Sequence, residues 1–171
     1  KTLDDFAGNY AFAVDVRGRT HFDLNILSLP DRLWLDIDLA AAAGALAHFQ
    51  KFLIMEDAVI RDASAEVARL GVAGPRAVEV AGSFGAAHMS AMSALGCFII
   101  EGGAAWLVRH DFAGLPGFEL IVARPDAAAW WERLAGHPAV TLAGEATLDV
   151  LRTEAGIPWL GRDIDEKTIP P

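Results

Sequence analysis

Alternation of apolar and polar residues predicts β-strands over the first forty residues. In residues 9–16, larger apolar or aromatic side chains alternate with small or polar ones: Tyr10, Phe12, Val14 and Val16. A similar extended pattern returns in residues 20–29 and 33–38, after turn sequences at 17–18 and 30–31. Three strands joined by two short turns predict an antiparallel meander.

Further strands are predicted along the rest of the chain. Short apolar runs mark the candidates: residues 52–55, 58–62, 67–72, 97–101, 105–110 and 118–123. Gly102 and Gly103 lie between two of these runs, and such a pair is typical of a tight hairpin. We therefore expect residues 97–101 and 105–110 to pair with each other.

Helices are predicted between and after these strands. The segments are residues 39–51, which are rich in alanine, and then 76–81, 125–134 and 143–154. Residues 83–93 show no clear period and are expected to be a loop or a weak helix. Because neither a βαβ repeat nor a linker is visible, we expect a single α+β region over residues 1–171, with antiparallel sheets and flanking helices.

Composition restricts the classes of function. Apolar residues make up 53% of the 171 positions, and no apolar run approaches the length of a membrane span, so we expect a soluble protein that does not act at a membrane. The formal net charge of −9 argues against a nucleic-acid partner, since phosphate binding needs clustered Lys and Arg.

The cysteine and histidine content excludes further classes of site. Cys97 is the only cysteine, so no disulfide framework is possible, and a reducing compartment is expected: the cytoplasm, or the mitochondrial matrix in a eukaryote. The five histidines show no HxxxH or HxH spacing, so we expect no metal site. Lys1 is not typical of a native start, and we expect a preceding segment that could have carried a targeting signal.

Glu119 is the most unusual charged residue, because it interrupts the apolar strand 118–122 directly after a Gly-rich turn. Alternation places its side chain on the face opposite Phe118 and Leu120, and that face is either solvent or a cavity. In a cavity, the carboxylate could accept two parallel N–H bonds from a flat heterocycle.

The last segment, LRTEAGIPWLGRDIDEKTIPP at residues 151–171, predicts a helix that stops at Gly156 and a long loop beyond it. Its sequence resembles the segment that closes the folate site in the glycine-cleavage T-protein, an aminomethyltransferase, and in the related YgfZ-type folate-binding proteins. Further stretches resemble the same family in the same order, at residues 17–24, 55–64, 70–77 and 109–120. The resemblance implies subdomains around a central cavity for tetrahydrofolate, in a piece of the family fold without both ends.

The resemblance also implies roles for particular residues. Glu119 matches the carboxylate that binds the pterin ring, and Arg152 matches an arginine near the folate, although a cation at the end of a helix also explains Arg152. Asp23 matches the second of two adjacent acids, one of which assists attack by the folate nitrogen on the aminomethyl group. Phe22 replaces the first of these acids, and Leu115 replaces another acid that T-proteins often have.

Three functions are compatible with these residues. Since Phe22 and Leu115 depart from the T-protein pattern, the first is a YgfZ-type protein that binds tetrahydrofolate and supports iron-sulfur enzyme maturation, with iron-sulfur proteins as partners. The alternative is an aminomethyltransferase that accepts its one-carbon unit from a lipoyl carrier protein, which the retained Asp23 favours. The third is a binding module that has kept the scaffold and lost the folate.

Overall fold

The computed structural model describes residues 3–165 and 167–169. Within them the predicted α+β class is confirmed, with two antiparallel sheets and flanking helices. Lys1 and the proline pair Pro170 and Pro171 lie outside the described residues.

The first sheet is the predicted meander, in the order β1-β2-β3. Its strands are β1 (Gly8–Val14), β2 (Thr20–Leu29) and β3 (Arg32–Asp36). β1 ends two residues before the predicted boundary, because the Asp15 carboxylate accepts the backbone N–H groups of Arg17 and Arg19 and so closes a turn. β3 also ends early, since Asp38 caps the following helix by accepting the N–H of Ala40.

Helix α1 (Leu39–Phe52) covers one face of the first sheet. In the stretches 52–55 and 58–62, predicted as strands, Phe52 is the last residue of α1, and residues 53–55 and 58–62 are irregular and connect α1 to the second sheet. That prediction was wrong because the apolar side chains of Ile54, Met55 and Val59 face solvent. The backbone N–H groups of Ile54 and Met55 bond to the Glu56 carboxylate instead of a neighbouring strand.

The second sheet has the order β4-β7-β6-β5. Its strands are β4 (Val67–Ala73), β5 (Cys97–Ile100), β6 (Ala105–Arg109) and β7 (Gly117–Ala123). The predicted hairpin between β5 and β6 is confirmed, and the connecting turn places Gly102 and Gly103 at φ angles of 66° and 108°, which favour glycine.

Helices cover the outer face of the second sheet. They are α2 (Ala77–Gly82) and α3 (Ala127–Ala135), and they pack on a core that includes Phe118, Leu120 and Val122. Residues 83–93, expected as a loop or weak helix, contain the 3-10 helix Ala87–Ala91. The last helix, α4 (Glu145–Glu154), ends before Gly156, whose φ of 71° reverses the chain into the C-terminal loop.

The inner faces of the two sheets pack together at one end only. Alternation along β2 puts Asp23, Asn25, Leu27 and Leu29 on the face toward the second sheet. The two leucines join an apolar cluster contributed by both sheets, with Leu95, Cys97, Val108 and Ile121. Toward the other end the same faces carry polar side chains, and there the sheets enclose a cleft.

Candidate functional site

The cleft between the sheets belongs to a cavity of about 1520 Å³ that continues to α3, to residues 139–145 and to α4. One wall consists of residues from β1, β2 and β3, and the opposite wall of residues from β4, β7 and the turn before β7. The C-terminal loop, predicted as a functional segment, borders the opening with Pro158, Trp159 and Arg162. A cleft with polar groups converging from several elements is typical of a small-molecule site.

Glu119 lines this cleft from the centre of β7, and its side chain is only 8% exposed. The strand face that carries Glu119, opposite Phe118 and Leu120, therefore borders the cleft and not bulk solvent. One carboxylate oxygen lies 3.1 Å from Nδ1 of His110, and the other accepts a bond of 3.0 Å from the Arg69 guanidinium. Burial alone raises the pKa of a carboxyl, but the hydrogen bond with His110 and the charge of Arg69 outweigh it and hold the pKa of Glu119 below its ordinary value.

Arg69 connects the two walls of the cleft. It extends from β4, and its guanidinium contacts Asp36 of β3 as well as Glu119. Asp36 in turn accepts a hydrogen bond of 3.1 Å from the side-chain amide of Asn25 on β2. The two carboxylates raise the pKa of Arg69 despite its partial burial, so the guanidinium is a permanent cation between the sheets.

An aromatic ring lies beside Glu119. Gly71 is opposite Glu119 in the β4–β7 ladder, and the Phe112 ring covers it so closely that a Cβ at position 71 would lie 2.9 Å from the end of the ring. The ring of His110 packs edge-on against Phe112, with the centroids 5.7 Å apart. A flat apolar surface next to a buried carboxylate suits an aromatic heterocycle with N–H donors on one edge.

Asp23 lies on the opposite wall, on β2, and is half-buried. Its carboxylate accepts a bond of 2.8 Å from the hydroxyl of Tyr10, whose ring packs edge-on against Phe12. Burial and the neighbouring Asp23 raise the pKa of Tyr10, so the phenol keeps its proton and acts as the donor. Asp23 is thus an oriented carboxylate that faces the cleft.

Phe22 points away from the cleft, which changes the interpretation of its substitution. It is 3% exposed and packs between the first sheet and α1 with Leu24 and Ala45. Since adjacent strand residues face opposite sides, only one of two neighbouring acids at positions 22 and 23 could reach the cleft from this strand. Leu115 is also outside the set of described residues that line the cleft. Neither residue removes an acid from this site.

Arg152 is 4% exposed, and it is not among the described residues that line the cleft. Its guanidinium bonds to Asp149 at 2.7 Å, to Asp163 at 2.5 Å and to the carbonyl of Ile157 at 3.2 Å. It also stacks on the Trp159 ring at 4.6 Å. These contacts hold the C-terminal loop against α4, so the structure gives Arg152 a role in positioning the loop.

The sequence predicted Glu119 and Asp23 as site residues, and both line the cleft, but it did not predict that Arg69, His110 and Phe112 line it too. Arg69 carries the same signal as Glu119, an isolated charge in an apolar strand, and the two strands turn out to be neighbours. His110 and Phe112 gave no comparable signal, because they lie beyond the end of β6 and reach the site only through the chain reversal before β7.

Within residues 3–165 and 167–169, no three or more His, Cys, Asp or Glu side chains come together as a possible metal site. No helix among these residues combines the length and apolar character needed to cross a bilayer. Cys97 is buried in the core between the sheets, and burial raises the pKa of its thiol to about 11, which makes it a poor nucleophile.

Comparison with known proteins identifies relatives that match nearly the whole of this chain. Residues 3–171 match the family described as the GCVT N-terminal domain. The crystal structure of the glycine cleavage system aminomethyltransferase T from Bartonella henselae superposes with a TM-score of 0.86 at 26% identity, over 98% of this chain and 46% of that chain. The antiparallel sheets with flanking helices expected from the resemblance are therefore confirmed.

Curated aminomethyltransferases are similar in sequence. That of Rubrobacter xylanophilus is 34% identical over 127 residues, which are 73% of this chain and 34% of the relative. That of Cutibacterium acnes is 32% identical over 91% of this chain and 45% of the relative. The chain thus spans less than half the length of these relatives. The matches favour the aminomethyltransferase alternative over the YgfZ-type interpretation.

Proposed function

The chain belongs to the GCVT N-terminal domain family, and on that basis we propose that its cleft binds tetrahydrofolate for transfer of a one-carbon unit, as in an aminomethyltransferase. The observation that carries this proposal is the Glu119 carboxylate, which is buried at the cleft wall beside the Phe112 ring. A pterin presents an amino group and a ring N–H side by side, and an ionised carboxylate accepts both.

The free acceptor positions of Glu119 support this assignment. Among the described residues, each carboxylate oxygen has one side-chain partner, His110 for one and Arg69 for the other. An ionised carboxylate has about four lone-pair sites, so each oxygen keeps acceptor capacity for a ligand. The low pKa means that Glu119 is an acceptor at neutral pH and requires no deprotonation when ligand binds.

Asp23 is the proposed catalytic residue. It faces Glu119 from the other sheet, and Tyr10 holds one of its carboxylate oxygens. In aminomethyl transfer, the carboxylate assists the attacking folate nitrogen by accepting its proton or by stabilising the positive charge that the nitrogen acquires. A lipoyl carrier protein is the proposed donor of the aminomethyl group.

The YgfZ-type function, with iron-sulfur proteins as partners, is the weaker proposal. Its support was the replacement of two acids by Phe22 and Leu115, and those side chains lie outside the cleft lining. Asp23, which does face the cleft, is the acid that aminomethyl transfer needs. The same geometry weighs against a scaffold without ligand, since the oriented carboxylates at 23 and 119 are both retained.

Ammonia release by the full-length protein tests the proposal. The protein is supplied with tetrahydrofolate and the aminomethyl-loaded lipoyl carrier. We expect turnover that falls about 10²–10⁴-fold in Asp23→Asn, the usual cost of losing a general base. The exposed Asp57→Asn is the matched control and should retain activity. Wild-type protein that binds tetrahydrofolate but releases no ammonia would support the YgfZ-type alternative, and protein that binds none would support the scaffold.

A further inference from the structure

The polar contacts across the cleft form one continuous chain of side chains. It runs from Asn25 on β2 to Asp36 on β3, then through Arg69 on β4 to Glu119 on β7, and ends at His110. Arg69 is the link between the two sheets in this chain. It has two carboxylate partners on opposite walls, while its own side chain is 43% exposed at the cleft.

The planar fork of Arg69 explains why this position needs an arginine. One terminal nitrogen, Nη1, contacts Asp36 and the other, Nη2, bonds to Glu119 at 3.0 Å. Because the guanidinium is rigid and its donors diverge in one plane, it fixes both carboxylates relative to each other. A lysine ammonium supplies the charge but not this fixed geometry.

We propose that Arg69 is a positioning residue. It ties Glu119 to the first sheet and orients the Glu119 carboxylate for a ligand that presents two adjacent N–H donors along one edge. This inference rests on the proposed folate site and adds to it the residue that controls its specificity. Without Arg69, Glu119 is a nearly enclosed acid with His110 as its remaining direct side-chain partner. It would then take up a proton more readily and present a donor where the ligand also has donors.

Other groups near the carboxylate do not replace Arg69. The charged or titratable side chains that line the cleft, besides Glu119 itself, are Tyr10 on β1, Asp23 on β2, Asp36 on β3, Asp38 before α1, Arg69 on β4, Arg76 after β4, His110 and Asp111 after β6, and Glu145 on α4. Arg76 is engaged by Glu79. Arg162 of the C-terminal loop also borders the cleft but is engaged by Glu145 and Asp149. The carboxylates in this set oppose ionisation of Glu119, so Arg69 is its one permanently charged contact among the described residues.

The test has a readout that does not need folate. The Glu119 carboxyl is titrated by carbon NMR in wild type, Arg69→Met and Arg69→Lys, with Glu119→Gln used to assign the signal. We expect Glu119 to titrate at higher pH in Arg69→Met, because desolvation is no longer offset by the guanidinium, and to return toward the wild-type value in Arg69→Lys. An unchanged titration in Arg69→Met would overturn the proposal.

The second readout is the pH profile of tetrahydrofolate binding in the same variants. At neutral pH, Arg69→Lys should bind at least about tenfold more weakly than wild type, because one ammonium cannot hold both carboxylates in place. On acidification, Arg69→Met should lose affinity at higher pH than wild type. Glu119→Gln is the control: it has no carboxyl at position 119, so its pH dependence reports the titration of the ligand itself. An equal loss of affinity at every pH would mean a merely structural role and would overturn the proposal.

The two readouts separate this inference from the proposed function. If wild-type protein binds no tetrahydrofolate, the folate site is wrong and the ligand-specificity part of the proposal is wrong with it. Its electrostatic part is then still decided by the Glu119 titration. If Arg69→Met does not fold, Arg69→Lys decides the positioning role, since wild-type affinity in that variant contradicts a requirement for the fork.

Discussion

Glu119 stays ionised although it is nearly enclosed, because its two oxygens have different and complementary partners. His110 contacts one oxygen and the cationic Arg69 contacts the other. An acid in an apolar strand without such partners would be protonated or strongly destabilising. The contacts of the ionised Glu119 carboxylate therefore contribute to the stability of the fold.

The pH dependence of stability tests this balance. The folded pKa of Glu119 lies below the ordinary value of 4.5, so ionised Glu119 stabilises the fold above pH 4.5 and this contribution is lost as the pH falls through the folded pKa. Chemical unfolding of wild type and Glu119→Gln is measured from about pH 3 to pH 7. We expect wild type to lose more stability on acidification than the variant.

The matched control for that experiment is Glu132→Gln, since Glu132 is an exposed residue of α3. Its unfolding curve should follow wild type at every pH. Parallel curves for wild type and Glu119→Gln would contradict the assigned ionisation of Glu119.

At the scale of elements, the C-terminal loop depends on α4 for its position. Arg152 of α4 bonds to Asp163 and to the Ile157 carbonyl, while the backbone N–H of Trp159 donates to the same Asp163 carboxylate at 2.8 Å. The ring of Trp159 also contacts two guanidinium groups, those of Arg152 and Arg162, at 4.6 and 5.2 Å from its centroid. These contacts place the loop at the mouth of the cleft.

Replacing Arg152 should therefore destabilise the protein without changing its preference for ligand. Arg152→Ala is expected to lower the unfolding free energy by about 1–3 kcal/mol, the range for charged hydrogen bonds and the packing around them. Thermal denaturation with and without tetrahydrofolate is the measurement, and both melting temperatures should fall equally. Arg32→Ala, which removes an exposed ion pair with Asp31, is the control and should change neither. A selective loss of the folate-induced shift would make Arg152 a ligand residue.

Local sequence patterns predicted most strands and helices and failed where contacts with distant parts of the chain decide the structure. β2 and β7 have strong alternation or strong apolar character, and both form where expected. The apolar run at 52–55 has the same composition as a strand but meets no sheet edge, so Phe52 ends α1 and residues 53–55 stay irregular. The observed strand ends differ from the predicted ones mainly where a side chain accepts a backbone N–H, as the carboxylates of Asp15 and Asp38 do.

At the scale of the molecule, the site exists because each inner strand face changes from apolar to polar along its length. Leu27 and Ile121 hold the sheets together, while Asp23 and Glu119 lie further along the same faces, where the sheets enclose the cleft. The alternation in each strand was visible in the sequence. The sequence did not show that the two sheets face each other, because this depends on the pairing of β4 with β7 and on contacts between residues far apart in the chain. The resemblance supplied Glu119 and Asp23, whereas only the structure shows that Phe22 faces α1.

Calorimetric titration of tetrahydrofolate into wild type, Glu119→Gln and Glu132→Gln tests the central claim most directly. We predict binding by wild type and by the Glu132→Gln control, and a loss of about 1.5–3 kcal/mol in Glu119→Gln, which is roughly a tenfold to hundredfold higher Kd. The neutral amide keeps the size of the side chain and loses the charge that accepts both N–H donors. An unchanged Kd in Glu119→Gln, with the variant folded, would remove Glu119 from the folate site and contradict the account.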